Sequence, residues 1–242
     1  MQRPEDLAAS AHTSAVVATS LTRRFGAVWA VRDVTFALPP RSVLLVVGPN
    51  GSGKTTLLRL LATALRPTSG TAAVFGHDLL RDPDAVRRLS AFVGTAPGVY
   101  DPLTARENLQ FAAVMCGRSR EPVLPWLERV GLAGTADHPV RTFSQGMKRR
   151  LALARAWLAA PSVLLLDEPY GGLDAGGVHL VDEMVAETTR RGGSAIVATH
   201  EWERGARVAD TVLALAGGRP ANVVPAGRLS DAALAAAAGG LR

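Results

Sequence analysis

Apolar and polar positions alternate along the chain in a way that separates short apolar runs from amphipathic segments. Val43 to Val47 is unbroken and rich in β-branched residues, the pattern of a strand buried on both faces. Gly48-Pro-Asn-Gly-Ser-Gly53 forbids regular structure, and apolar positions then return at helical period, predicting a helix over 54–65. Upstream, 15–19 and 31–38 read as strands of an antiparallel edge, separated by Arg23-Arg-Phe-Gly26. Pro39-Pro40 breaks the chain before the central strand. Beyond the helix come a turn at 67–70, a strand at 71–75, a short helix over 82–89 and a strand at 90–94.

From Thr95 to about Thr142 no strand interrupts the chain, which reads as a helical insertion. Thr104 reads as the N-cap of a helix running to Cys116, with Glu107 completing a capping box. After a polar turn at 117–120, a second amphipathic helix is predicted over 121–130. The strand–helix alternation then resumes: helix 145–159, strand 163–166, helix 177–191, strand 194–199, helix 201–209, a strand at 211–215 and another near Val223. Residues 1–14 read as a mobile lead-in, and Ser230 caps a C-terminal helix that ends at Gly239-Gly240. The expected domains are a lead-in at 1–14, an α/β core of 15–94 and 143–242, and a helical subdomain of 95–142. No internal repeat emerges.

Candidate chemistry concentrates where the pattern breaks. A strand, a glycine loop and a helix in that order match the G-x-x-x-x-G-K-[ST] phosphate loop, made of Gly48, Pro49, Asn50, Gly51, Ser52, Gly53, Lys54, Thr55 and Thr56. Glycines let successive backbone N–H groups face an anion, and the helix N-terminus adds partial positive charge. Lys54 reaches β- and γ-phosphates, and the Thr55 hydroxyl can ligate Mg²⁺. A glycine turn that binds nothing is the alternative. A second signal is Ser162-Val-Leu-Leu-Leu-Asp167-Glu168-Pro169, a buried strand that presents two carboxylates at its C-terminal end, where open α/β sheets bind ligands. Asp167 suits the metal and Glu168 the activation of a water, against a solvated acidic turn as the alternative.

Composition changes this picture only at its margins. The 242 residues carry 27 Lys and Arg, of which Lys54 and Lys148 are the two lysines, so lysine sits where a compact ammonium suits a phosphate cradle. The length suits one large α/β domain, or one domain with a small subdomain. The arginines behind the net charge of +6 are scattered in ones and twos without a long basic block; charge alone decides little, and nucleic acid is not an expected partner. No apolar stretch reaches the ~18 residues of a membrane span, and Met1 to Ala15 has no secretory apolar region. The single cysteine, Cys116, excludes an internal disulfide and a cysteine-cluster metal site; its apolar run Phe111 to Cys116 predicts buried helix packing.

Between the two sites lies Thr142-Phe-Ser144-Gln145-Gly146-Met147, followed by Lys-Arg-Arg-Leu-Ala-Leu-Ala-Arg-Ala. It resembles the signature of ABC-transporter ATPases, usually Leu-Ser-Gly-Gly-Gln, with Phe143, Gln145 and Met147 as departures. Ser144 alone could equally be an ordinary helix N-cap. Taken with the phosphate loop and Asp167-Glu168, the motifs make the chain similar to a stand-alone ABC nucleotide-binding subunit over about residues 15 to 215. The resemblance implies a P-loop α/β fold with a helical insertion, and an ATPase using ATP and Mg²⁺. It further implies that Ser144, Gln145 and Gly146 bind ATP in trans across a homodimer, or a heterodimer with a related subunit. Phe25 would stack on adenine (a core Phe is the alternative), Asp174 would lie at the dimer seam and His200 would contact the γ-phosphate. The catalytic set is then Glu168, His200 and Lys54, and the metal set Thr55 and Asp167. Thr95 stands where the family has a glutamine, and is a third metal candidate with shorter reach.

The implied partners are integral membrane transporter subunits, docked by the helical insertion on the cytoplasmic face of the cell membrane. Ala96 to Leu109 is similar to the haem-exporter ATPase of cytochrome c maturation. The rival class is a soluble ABC-type ATPase of DNA repair or chromosome maintenance. Those proteins insert a coiled coil or zinc modules between loop and signature, whereas fewer than a hundred residues separate Thr56 from Ser144 here, without heptads or cysteine pairs. A non-catalytic nucleotide binder is a third reading, which intact Lys54, Asp167 and Glu168 oppose.

Overall fold

The computed structural model describes residues 14–119, 122–200 and 202–225. Its strands are β1 (Val16–Phe25), β2 (Val28–Leu38), β3 (Val43–Val47), β4 (Ser69–Val74), β5 (His77–Asp78), β6 (Ser90–Val93), β7 (Val163–Asp167), β8 (Ser194–Ala198), β9 (Thr211–Ala216) and β10 (Arg219–Pro225). Its α-helices are α1 (Lys54–Leu61), α2 (Pro83–Leu89), α3 (Ala105–Met115), α4 (Leu124–Arg129), α5 (Gln145–Leu158), α6 (Ala175–Arg190) and α7 (Trp202–Ala206). Six strands form one sheet in the order β10-β9-β3-β8-β7-β6, parallel except for β10. All five residues of β3, β7 and β8 are buried, as helices on both faces require. The antiparallel strands make a separate sheet, β2-β1-β4-β5, instead of extending the parallel one.

Helix α1 lies between the two sheets. Leu57, Leu58, Leu60 and Leu61 are all fully buried there, packed with Leu21 and Phe36 on one side and Leu44, Val46 and Ile196 on the other. An apolar surface on nearly every side is what such a sandwiched helix needs. The opposite face of the parallel sheet is covered by α5 and α6. Their core runs on without a break into the helical stretch, through Leu109, Leu127, Leu132 and Val140. The capping box at α3 forms as expected: Thr104 accepts from the Glu107 N–H and Glu107 from the Thr104 N–H.

Several boundaries differ from the sequence reading. β1 runs through Arg23, Arg24 and Phe25 to a hairpin turn at Gly26, and β2 starts at Val28. Charged residues masked the strand, but they belong to a solvent face where guanidinium groups lie over Phe25 and Trp29. α1 stops at Leu61, not 65, because Thr63 takes a left-handed φ of 56° and Pro67 bars helix at residue 66. α4 begins at Leu124, since Pro125 is tolerated only in a first turn. α7 ends at Ala206; Gly205 lets it close onto β3, where a Cβ would meet Leu45 Cδ1 at 2.4 Å. Cys116 is exposed, not buried: α3 turns Ala112 and Ala113 inward, leaving Phe111, Val114, Met115 and Cys116 outside. The lead-in over 1–13 and the helix at 230–238 lie outside the described residues.

Candidate active site

The phosphate loop and the two carboxylates stand where the apolar runs of β3 and β7 end. β3 delivers the chain to Gly48, whose φ of 151° and lack of Cβ matter, because a Cβ would sit 2.2 Å from the Leu215 carbonyl oxygen. Gly53 caps α1 at φ 105°, and a Cβ there would lie 2.2 Å from the Ala30 carbonyl oxygen. Between them the loop wraps around Lys54, which is 6% exposed. The Lys54 ammonium donates to the carbonyls of Gly48 (2.7 Å) and Pro49 (3.3 Å) and lies 3.9 Å from Glu168 Oε1. Ser52 Oγ is buried in the same loop without a hydrogen-bond partner. A cradle with a buried ammonium and an orphaned hydroxyl fits an anionic ligand such as a triphosphate.

β7 brings the two carboxylates to this loop. Asp167 is fully buried and accepts from the Thr55 hydroxyl at 2.8 and 3.1 Å. Burial pushes its pKa up, with the Thr55 hydrogen bond acting against the shift. Glu168 follows in the left-handed region at φ 48°, unusual for a side chain with a Cβ and costing on the order of 1 kcal/mol. Its N–H donates to the Ala198 carbonyl at 2.7 Å. Its Oε2 accepts from the Thr199 hydroxyl (3.1 Å) and the His200 N–H (3.2 Å), and lies 2.8 Å from His200 Nδ1. Lys54, Thr55, Asp167, Glu168 and His200 therefore form one connected group. The metal candidates amount to one carboxylate and one hydroxyl, and no cluster of three His, Cys, Asp or Glu occurs among the described residues. That donor set fits Mg²⁺, which keeps waters and takes phosphate oxygens as its other ligands.

The remaining candidates lie apart from this group. Phe25 is 44% exposed with the Arg23 guanidinium 4.4 Å from its ring centroid, so it is not a core residue. Ser144 caps α5, accepting from the Met147 N–H at 3.2 Å, and Gln145 and Gly146 open the helix. A Cβ on Gly146 would lie 3.4 Å from the Gly172 carbonyl, which sets the signature beside the 171–174 loop. Asp174 caps α6 through the Gly177 N–H (2.8 Å) and pairs with Arg150 (2.6 Å), and both hold its pKa below the usual carboxylate range. Among the described residues, no hydrogen bond or ion pair joins Ser144, Gln145 or Gly146 to Lys54, Thr55 or Asp167. The Thr95 side chain is exposed, and its carbonyl, not its hydroxyl, is the group engaged from the core.

The group that engages it is Arg149, a residue the motif reading passed over. Its guanidinium is 6% exposed and donates to the carbonyls of Gly94 (3.2 Å), Thr95 (2.9 Å), Asp167 (3.2 Å) and Glu168. Burial lowers its pKa, opposed by the charges of Asp167 and Glu168. The signal was present in the pattern: 149, 152, 153 and 156 share one face of α5, and the other three are buried alanines and a leucine.

Residues 31–171 match the ABC transporter family. The chain belongs to that family. The chain is 35% identical over 211 residues to the daunorubicin/doxorubicin resistance ATP-binding protein DrrA of Streptomyces peucetius, covering 86% of this chain; it spans 64% of DrrA's own length. It is 42% identical over 169 residues to the cytochrome c biogenesis ATP-binding export protein CcmA of Pseudomonas putida (strain GB-1), covering 69% of this chain and 80% of that one. A solved structure of an ATP-binding subunit of an ABC transporter superposes with a TM-score of 0.82 at 27% identity, over 88% of this chain and 90% of the other. The chain is thus an ABC-type ATPase, and the comparisons support the transporter reading over the DNA-repair one.

Proposed function

We propose that this ABC subunit hydrolyses Mg-ATP at the group around Glu168, as one half of a dimeric motor for an export transporter. The observation that carries the reading is the position of the Glu168 carboxylate. It lies 3.9 Å from the phosphate-loop ammonium and is held by Thr199 and His200, next to the Thr55–Asp167 pair. On binding ATP, Lys54 exchanges the Gly48 and Pro49 carbonyls for the β- and γ-phosphates, a charge-assisted contact. Phe25 offers its exposed ring to adenine. Thr55 and Asp167 would hold Mg²⁺, whose charge offsets that of the phosphates. Glu168 takes the proton of the attacking water, and His200, 64% exposed, turns from Glu168 toward the γ-phosphate.

Ser144, Gln145 and Gly146 then serve the phosphates of a second copy, or of a related ATPase subunit. Their separation from Lys54 within one chain and the free N–H groups opening α5 support a role in trans. The membrane partner would sit on the side where α3 exposes Phe111, Val114 and Met115, beside a groove of about 400 Å³ between α3, α5 and the 94–98 loop. No helix among the described residues is long and apolar enough to cross a membrane. Docking on such a partner would place the subunit on the cytoplasmic face of the cell membrane. The names of DrrA and CcmA speak of drug resistance and of export in cytochrome c biogenesis. We take export from them as the direction, and assign cargo choice, haem or another small molecule, to the membrane subunit.

Glu168→Gln is the direct test. It should bind ATP nearly as the native protein does and hydrolyse it at least ~100-fold more slowly, the scale of general-base catalysis. Trapped with Mg²⁺ and ATP, it should scatter light as a dimer. Turnover within a few-fold of native would give water activation to another residue, and a monomer at saturating ATP would remove the shared site.

A further inference from the structure

We propose that Arg149 is a positioning residue that couples the 94–95 loop to the backbone of Glu168. Its guanidinium reaches both segments at once, donating to Gly94 and Thr95 on one side and to Asp167 and Glu168 on the other. The inference rests on the reading of Glu168 as the base.

Glu168 holds a left-handed backbone at φ 48°, a conformation that persists in a residue with a Cβ only when its surroundings over-determine it. Backbone hydrogen bonds on both sides of the residue do so. The N–H is fixed on the Ala198 carbonyl, and the carbonyl accepts from Arg149 and, at 3.4 Å, from the Gly171 N–H. Removing Arg149 leaves the carbonyl with the long Gly171 bond, so the peptide after Glu168 can rotate and the carboxylate moves with it. The same fork closes on the two carbonyls that follow β6, where the chain leaves the sheet for the helical stretch. A displacement of that loop therefore reaches the base through one rigid planar group. Arginine suits this because five N–H donors on one plane can bridge separate carbonyls, whereas a lysine ammonium is a point.

Thr95 gives the arrangement its particular weight. Its side chain is exposed and its hydroxyl is short, so it offers no arm toward the carboxylates. Contact between loop and active site instead runs from the core outward, by way of α5. Because Ser144 caps the same helix five residues earlier, the signature end and the base are attached to one rigid rod.

The test compares native protein with Arg149→Lys, Thr95→Gln and the double variant. Two readouts are used: steady-state ATPase kinetics, and deuterium uptake of the 91–98 segment with and without Mg²⁺ and a non-hydrolysable ATP analogue. Arg149→Lys should lower kcat at least ~10-fold, the scale of a slightly misplaced catalytic group, with KM for ATP within about 3-fold. It should also abolish the nucleotide-dependent change in uptake over 91–98. Thr95→Gln should raise kcat by a larger factor in the Arg149→Lys background than in the native one, since a longer arm then replaces a lost link. Native-like kcat, an equal rise in KM, retention of the uptake change, or equal gains in both backgrounds would overturn the proposal. Should Arg149→Lys fail to fold, the native protein still decides: an analogue that protects 43–58 but leaves 91–98 unchanged overturns it, and one that alters both upholds it. Failure of the base assignment would show separately, as rapid turnover by Glu168→Gln.

Discussion

Asp167 ends a strand in which all five residues are buried, and removal from water raises the pKa of its carboxyl. An acid whose pKa is raised on folding lowers stability as pH climbs through its unfolded pKa toward the folded one, and leaves it untouched below both. In the metal-free protein near neutral pH the ionised carboxylate is therefore a net burden, which a bound cation would relieve. Asp167→Asn keeps the shape and an acceptor for the Thr55 hydroxyl while removing the charge. It should raise the melting temperature in EDTA at pH 7, lose that advantage below about pH 4, and cost at least ~100-fold in Mg-ATP turnover. A lower melting temperature at pH 7 would mean that Arg59 and Lys54 more than offset burial. At the same scale, Ser144 and Asp174 have a structural task of their own. Both cap helices within the chain, whatever a second copy does with them.

Among the elements, α3 was the most legible and α4 the least. Thr104 and Glu107 form their box because an exposed helix start must satisfy its own N–H groups, a local demand that sequence spacing states directly. Thr104→Ala should destabilise the fold by ~1 kcal/mol, or roughly 2–4 °C in a domain of this size, with ATPase per folded molecule unchanged. Thermal denaturation checks the first and activity normalised to folded protein the second; a shift below about 0.5 °C would assign α3's stability to packing alone. α4 is shorter than its apolar periodicity implied, and packing holds it. Arg129 at its end pairs with Glu183 (2.6 Å) and Glu187 (2.5 Å) of α6 while its guanidinium lies 3.5 Å from the centre of the Trp157 ring. Nothing near Arg129 in the sequence signals partners more than fifty positions away.

For the whole molecule, the helical stretch shares its interior with the ATP-binding core yet leaves one apolar side uncovered. Tyr100 and Phe111 meet edge to face at 5.1 Å on that side, and Met115 is 70% exposed. If this side receives the membrane subunit, Met115→Glu paired with Val114→Glu should abolish co-purification with membranes. Because both side chains already face water, the melting temperature and the ATPase rate in solution should stay within about 2 °C and two-fold of native. Retention on membranes by the doubly charged variant would move the docking surface elsewhere.

Strand β3, the glycine loop, α1 and the Asp167-Glu168 edge follow from the sequence alone, because each rests on local chemistry. A continuous apolar run needs two covered faces, glycine alone tolerates the loop's backbone angles, and acids closing a buried strand mark the sheet edge where ligands bind. The ABC family was legible for the same reason, since its motifs are local and ordered. Tertiary structure alone decided the rest. It drew β1 and β2 through charged residues into a separate sheet, in which β1 pairs with β4 across a distance the apolar pattern does not record. It exposed Cys116, because only neighbours determine which side of an apolar helix is covered. And it gave Arg149 its four carbonyl acceptors from two segments more than seventy positions apart, since a buried guanidinium takes its partners from whatever backbone the fold brings to it.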